Sequence, residues 1–215
     1  MAIAAHFDER LRVSPALEKL LLAFVWLTFV TNAIIVSEPA PADLFMMGFV
    51  VVIPLFGLVR FTSVHATLFA GWMIIVATGL LVAGGNEDFK DSAKHMLITL
   101  YLAVFCVVLA GFVTRNPTRY LPVIWRGYII GALIAAVAGI IGYYDLIPGS
   151  YEMFTRYWRA RGTFKDANVF APFLVPALLI CLHSIIVNRV KHSLVSILLV
   201  LTFFTAILLS FSRGG

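Results

Sequence analysis

Charge is scarce in this chain. Of its 215 residues, 13% are Asp, Glu, Lys or Arg and 61% are hydrophobic. Soluble globular chains are about 45–50% apolar, so a soluble fold of this length has too few polar groups to cover its apolar side chains. Cysteine is nearly absent. Cys106 and Cys181 each sit inside an apolar run, which argues against a disulfide framework or a cysteine metal site and reads as two packed thiols. There is no Gly-x-x-x-x-Gly-Lys phosphate loop, so a soluble nucleotide is not an expected ligand. No dense basic run accompanies the net charge of +5, so nucleic acid is not an expected partner. The loop acids Glu87, Asp88, Asp91, Asp145 and Glu152 lack metal-ligand spacing and read as solvated loop charge; no metal and no cofactor is expected. No small-residue cleavage site follows the first apolar run, which reads as a retained membrane helix.

What the chain does have is long apolar segments, at 17–36, 43–60, 66–84, 93–113, 121–144, 168–187 and 192–211. About twenty residues at a rise of 1.5 Å cross a bilayer core. The expected fold class is therefore all-α: a polytopic integral membrane protein of about seven transmembrane helices, with residues 1–215 forming a single transmembrane domain. The alternation over about ten residues that marks membrane β-strands is absent.

Lys and Arg set the expected orientation. With the N-terminus in the cytoplasm, Arg10, Arg12, Lys19, Arg60, Arg115, Arg119, Arg126, Arg189 and Lys191 lie inside. Lys90 and Lys94 lie outside beside Glu87, Asp88 and Asp91. The third outer loop, 145–167, opposes this bias with Arg156, Arg159, Arg161 and Lys165, and Arg213 emerges on the same side. Cations at the mouth of a membrane helix are costly unless they meet water, phosphate or a partner. Snorkelling into lipid headgroups is the plain alternative.

Two further features sit on the helices. Gly127, Gly131, Ala135 and Gly139 recur every four residues, a seam for close helix packing. Pro172 and Pro176 fall in the first half of the sixth segment, where each removes a backbone donor and favours a kink, either a hinge or a tolerated bend.

The sixth segment runs from outside to inside. Asp166 and Asn168 are both good N-cap residues, and the helix dipole is positive at that end, which suits an anion. Gly162 permits a tight turn just before it. Arg159, Arg161 and Lys165 surround the same point. The seventh segment returns outward and ends Ser210-Phe211-Ser212-Arg213-Gly214-Gly215. Two separate clusters thus converge on one outer location. Guanidinium forks match phosphate oxygens, so the expected ligand is a lipid phosphate or pyrophosphate.

Arg161-Gly162-Thr163-Phe164-Lys165-Asp166-Ala167-Asn168, followed by Phe170-Ala171-Pro172-Phe173-Leu174 and, one helical hairpin later, Ser212-Arg213-Gly214, resembles the signature of the O-antigen ligase and O-antigen polymerase superfamily. Ala167 departs from the Pro that many members carry. The resemblance implies a bacterial inner-membrane glycosyltransferase of cell-surface polysaccharide (lipopolysaccharide or exopolysaccharide) assembly, active at the periplasmic face. The donor would be an undecaprenyl-pyrophosphate-linked oligosaccharide, and the acceptor a glycan, a lipid core or a protein. It implies Arg161 and Arg213 as catalytic residues, and Arg159, Gly162, Thr163, Lys165, Asn168 and Ser212 as pyrophosphate-binding residues. Members continue beyond the second motif, so the resemblance also implies that this chain is an N-terminal portion, inactive alone. A polymerase is the first reading and a ligase its close alternative. A lipid-linked sugar transporter or a non-catalytic membrane partner belongs to a different class. The transporter reading is disfavoured by the near absence of mid-helix charge.

Overall fold

The computed structural model describes residues 14–35, 40–85, 89–187 and 193–212. Its helices are α1 (Pro15–Thr31), α2 (Pro41–Leu55), α3 (Ser63–Ala83), α4 (Phe89–Arg115), α5 (Pro117–Tyr143), α6 (Ser150–Phe154), α7 (Ala167–Val187) and α8 (Ser193–Leu209). Between α6 and α7 lies one antiparallel hairpin, β1 (Thr155–Arg156) and β2 (Arg159–Ala160). The all-α expectation holds, with this hairpin as the addition. Of the seven expected crossings, α3, α4, α5 and α7 are long and apolar enough to cross a membrane. The helices α1, α2 and α8 fall on the other three segments but have 17, 15 and 17 residues, short of the about twenty for a full crossing.

Local backbone signals set these ends. After α2, Gly57 takes φ +64°, and its N–H reaches Pro54 O at 2.8 Å while Leu58 N–H reaches Ile53 O at 3.1 Å. That bond pair is a Schellman stop, which the left-handed glycine makes possible. The same pair closes α5, with Asp145 at φ +47°, its N–H on Gly142 O and Leu146 N–H on Ile141 O. The outer faces of the helices stay apolar: Leu81 is 80% exposed, Ile74 68% and Leu97 66%. Such a surface is unfavourable in water and well solvated by lipid tails, where intrahelical bonding already satisfies the backbone.

The chain divides into two compact units. The first comprises Met1–Leu22 and Met46–Leu121. Phe49 sits at its centre, with ring centroids 5.3 Å from Phe105 and 5.7 Å from Phe112. Phe112 in turn stacks on Tyr120 at 4.3 Å. Buried His65 joins the start of α3 to the end of α4. Its Nδ1 accepts the Thr62 N–H at 3.1 Å, so Nε2 carries the ring proton and meets Thr114 Oγ1 at 3.3 Å. Thr114 donates onward to Ala110 O. At the foot of this unit Arg119 pairs with Glu18 at 2.8 Å.

The second unit comprises Ala23–Phe45 and Pro122–Gly215. Its core gathers Ala132, Ala135 and Ala136 of α5, Phe164, the α7 residues Phe170, Leu174 and Ala177, and Phe203 and Ala206 of α8. The small-residue seam of α5 permits close backbone approach on two sides. A Cβ at Gly127 would lie 2.6 Å from Trp26 O, and one at Gly131 2.8 Å from Val30 O. Further along, a Cβ at Gly139 would meet Phe170 Cζ at 2.9 Å. The helix α7 runs unbroken through both Pro172 and Pro176. Beside them Tyr128 donates its hydroxyl to Phe173 O at 2.6 Å, a cross-link to α5 in the stretch where proline removes helical donors. Cys181 is buried in this core as expected, whereas Cys106 in the first unit is exposed.

Candidate functional site

The 145–167 connection is built, not loose. Its first anchor is Asp145, by sequence a solvated loop charge and here a hydrogen-bonded one. Its Oδ1 accepts the Tyr151 N–H at 3.1 Å and faces Ser150 Oγ at 3.3 Å, while Ser150 Oγ also donates to Ile141 O. The short helix α6 is thereby pinned to the end of α5. The hairpin follows, with Thr155 opposite Ala160 and Arg156 opposite Arg159. Its two turn residues, Tyr157 and Trp158, have φ of +53° and +63°. Two successive left-handed residues make a tight hairpin turn whose twist matches the strands, and both rings project outward.

Behind the hairpin the chain passes closely over α5. Gly162 has φ +54°, and a Cβ there would lie 2.5 Å from Ala135 O and 2.7 Å from Phe170 Cε2. Glycine is therefore needed for both dihedral and space. Thr163 Oγ1 donates to Ala33 O, and Thr163 O accepts the Ile35 N–H at 3.1 Å. Phe164 then buries its ring, with its centroid 4.8 Å from that of Phe173. These contacts hold Arg159 and Arg161 in place at the loop surface.

Arg159 joins three elements. Its Nε donates to Ser210 O at 2.7 Å and its Nη2 to Asn168 Oδ1 at 2.6 Å. The start of α7 and the end of α8 therefore meet at this guanidinium. Ser210, fully buried, donates its Oγ to Ile207 O and accepts the Ser212 N–H at 3.2 Å. The sequence points to Ser212 as the binding serine; the signal for Ser210 is a hydroxyl directly after the last residue of an otherwise apolar helix.

Arg161 is half-buried. Its Nη2 donates to Met153 O at 2.9 Å and its backbone N–H to Phe154 O. Its Nε is buried and has no acceptor among the described residues. A buried donor left unpaired costs roughly 1–3 kcal/mol and in a native protein calls for a partner.

The first turn of α7 is capped by Asp166, whose Oδ1 accepts the Asn168 N–H at 2.7 Å and whose carbonyl accepts Phe170 N–H at 3.1 Å. Of the two candidate caps the structure uses Asp166, and Asn168 turns its side chain to Arg159. One of the α7 N–H groups expected to face an anion is thus taken by a carboxylate. Arginine, more than the helix end, is what this site offers a negative ligand. Lys165 is half-buried at the same turn. Arg213, the second expected catalytic residue, lies outside the described residues. Arg159, Asn168 and, through Ser210, Ser212 are thus brought together, while Arg161 engages Met153 and Phe154, Gly162 lies over Ala135, and Thr163 binds Ala33. Two sizeable cavities lie elsewhere, one between α3 and α4 and one between α5, α7 and α8. No cluster of metal-ligating side chains occurs among the described residues. Compared with protein-family models, curated proteins and solved structures, the chain matches none.

Proposed function

We propose that this chain belongs to a membrane glycosyltransferase of the O-antigen ligase and polymerase type, acting on an undecaprenyl-pyrophosphate-linked glycan at the periplasmic face of a bacterial inner membrane. The observation that carries the reading is the buried Nε of Arg161, which has no acceptor among the described residues and sits on a braced loop that also carries Arg159. An oxyanion of a pyrophosphate is the partner such a donor fits, since charge-assisted bonds to guanidinium are short and strong. The motif order Arg161-Gly162-Thr163 and then Ser212-Arg213-Gly214 supports the same family.

In the proposed reaction an acceptor hydroxyl oxygen attacks the anomeric carbon. The bond from that carbon to the pyrophosphate oxygen breaks, its electron pair stays on the pyrophosphate, and the hydroxyl proton is released. Preorganised arginines lower the barrier by meeting the charge that develops on the leaving group. Gly162, Thr163 and Asn168 position these cations: Gly162 and Thr163 bring the backbone down onto α5 and the 33–35 segment, and Asn168 orients Arg159. With seven crossings and a cytoplasmic N-terminus, the loop opens to the periplasm.

The test is replacement of Arg161 and, separately, Arg213 by Ala in the protein as its native cell makes it. Surface polymer is lost in each variant while membrane levels hold. Polymer retained in both variants would overturn the reading. Arg161→Lys also performs poorly, because an ammonium lacks the planar fork.

A further inference from the structure

The second unit carries a groove at the end remote from the 145–167 loop. Residues from the start of α5, the end of α7 and the start of α8 enclose about 570 Å3, a size typical of small-ligand clefts. Its walls are mainly apolar, including Ile129, Leu179 and Leu199, and its rim carries Trp125, Arg126 and His183. Neither Arg126 nor His183 has a hydrogen-bond or ion-pair partner among the described residues. A cation on a membrane helix without a counter-charge is expensive unless it reaches water or an anion.

Depth in the membrane identifies the anion. No Asp, Glu, Lys or Arg occurs in α5 after Arg126 or anywhere in α7. Arg126 therefore stands where the uncharged stretch of α5 begins, with Trp125 beside it, and His183 lies in the last turns of α7. Arg and Trp at such a boundary mark headgroup level. A groove that is cationic at headgroup level and apolar below it matches a phospholipid in shape and polarity.

We infer that this groove binds one anionic membrane phospholipid, its phosphate at Arg126 and His183 and an acyl chain along Ile129 and Leu199. Basic pockets between membrane helices are suited to such headgroups. The site is separate from the arginine loop and does not depend on the proposed glycosyl transfer.

Native mass spectrometry of the purified full chain, titrated with phosphatidylglycerol or with phosphatidylcholine, tests it. One phosphatidylglycerol is retained with about fivefold preference, the ratio that roughly 1 kcal/mol per surface cation supplies. Arg126→Gln brings that preference down to the phosphatidylcholine level, Arg126→Lys keeps most of it, and Arg156→Gln in the hairpin leaves it unchanged. Leu199→Trp, which fills the groove, removes the bound lipid without touching the cation and covers the case in which Arg126→Gln fails to fold. Equal retention of the two lipids, or unchanged preference in Arg126→Gln or Leu199→Trp, overturns the proposal. So does displacement of the lipid by inorganic phosphate at its own concentration, which would make this a free-phosphate site.

Discussion

The Arg159 guanidinium donates from Nε to the backbone carbonyl of Ser210 at 2.7 Å, joining the hairpin to the end of α8. Its Nη2 takes Asn168 in the same fork. Planar bidentate donation is what arginine does and lysine does not. Arg159→Ala should therefore lower stability by about 2 kcal/mol, the scale of a lost charged hydrogen bond that strands a partly buried acceptor. Arg159→Lys should recover only part of that. Thermal unfolding in detergent reads both, and an Arg159→Ala variant as stable as wild type would show that the bond carries no weight.

Gly162 makes a sharper prediction. Gly162→Ala must place a methyl 2.5 Å from Ala135 O at a φ of +54°. Strain and clash add, so the loss should be roughly 2–4 kcal/mol. Because the obstacle is a backbone oxygen, pairing the change with Ala135→Gly should not rescue it. A rescued melting temperature in the double variant would mean that the side chain, and not the backbone, sets the approach.

Thr163 ties the loop to residues 33–35 through both its hydroxyl and its carbonyl. Thr163→Val keeps the shape and deletes the donor, leaving Ala33 O unpaired, so about 1 kcal/mol should be lost. Thr163→Ser should stay close to wild type. Limited proteolysis of the 145–167 loop, faster in the valine variant than in the serine variant, checks the assignment.

Arg161 should separate function from stability. Removing it as Arg161→Leu deletes a buried Nε without an acceptor among the described residues and leaves behind only the carbonyl of exposed Met153, which water can reach. The ligand-free melt should thus stay within about 0.5 kcal/mol of wild type, while stabilisation by an added polyprenyl pyrophosphate should vanish. A large ligand-free loss in this variant would make Arg161 a structural residue instead.

In the first unit, His65 accepts the Thr62 N–H and meets Thr114. His65→Ala should cost about 2 kcal/mol through two unpaired partners. Thr114→Val should cost less, because only the Nε2 contact is lost. Equal losses, measured by thermal melts, would place the energy in the Thr114 side of the network.

Much of this was legible from residue order alone. Hydrophobic run length located α3, α4, α5 and α7, which are long and apolar enough to cross a membrane, and the shorter α1, α2 and α8, because a crossing needs about twenty apolar residues. The Gly127-Gly131-Ala135-Gly139 spacing announced a close-packed face. The convergence of the Arg159–Asn168 stretch with the end of α8 followed from helix direction and short connections.

Other features depended on three-dimensional placement. Sequence could not distinguish Asp166 from Asn168 as the cap of α7, since both types serve; the choice rests on Arg159 drawing the Asn168 side chain to itself. The hairpin was hidden because Tyr157-Trp158 is not a usual left-handed turn pair, and its conformation is held by contacts around it. The partners of Gly162 and Ser210 lie 27 and 51 residues away, at Ala135 and Arg159. Composition and periodicity determined that this is a helical protein suited to a membrane, because those are sums over local sequence. Tertiary structure decided which arginine braces the loop and which keeps a donor unpaired among the described residues, because hydrogen-bond partners are set by distance in space.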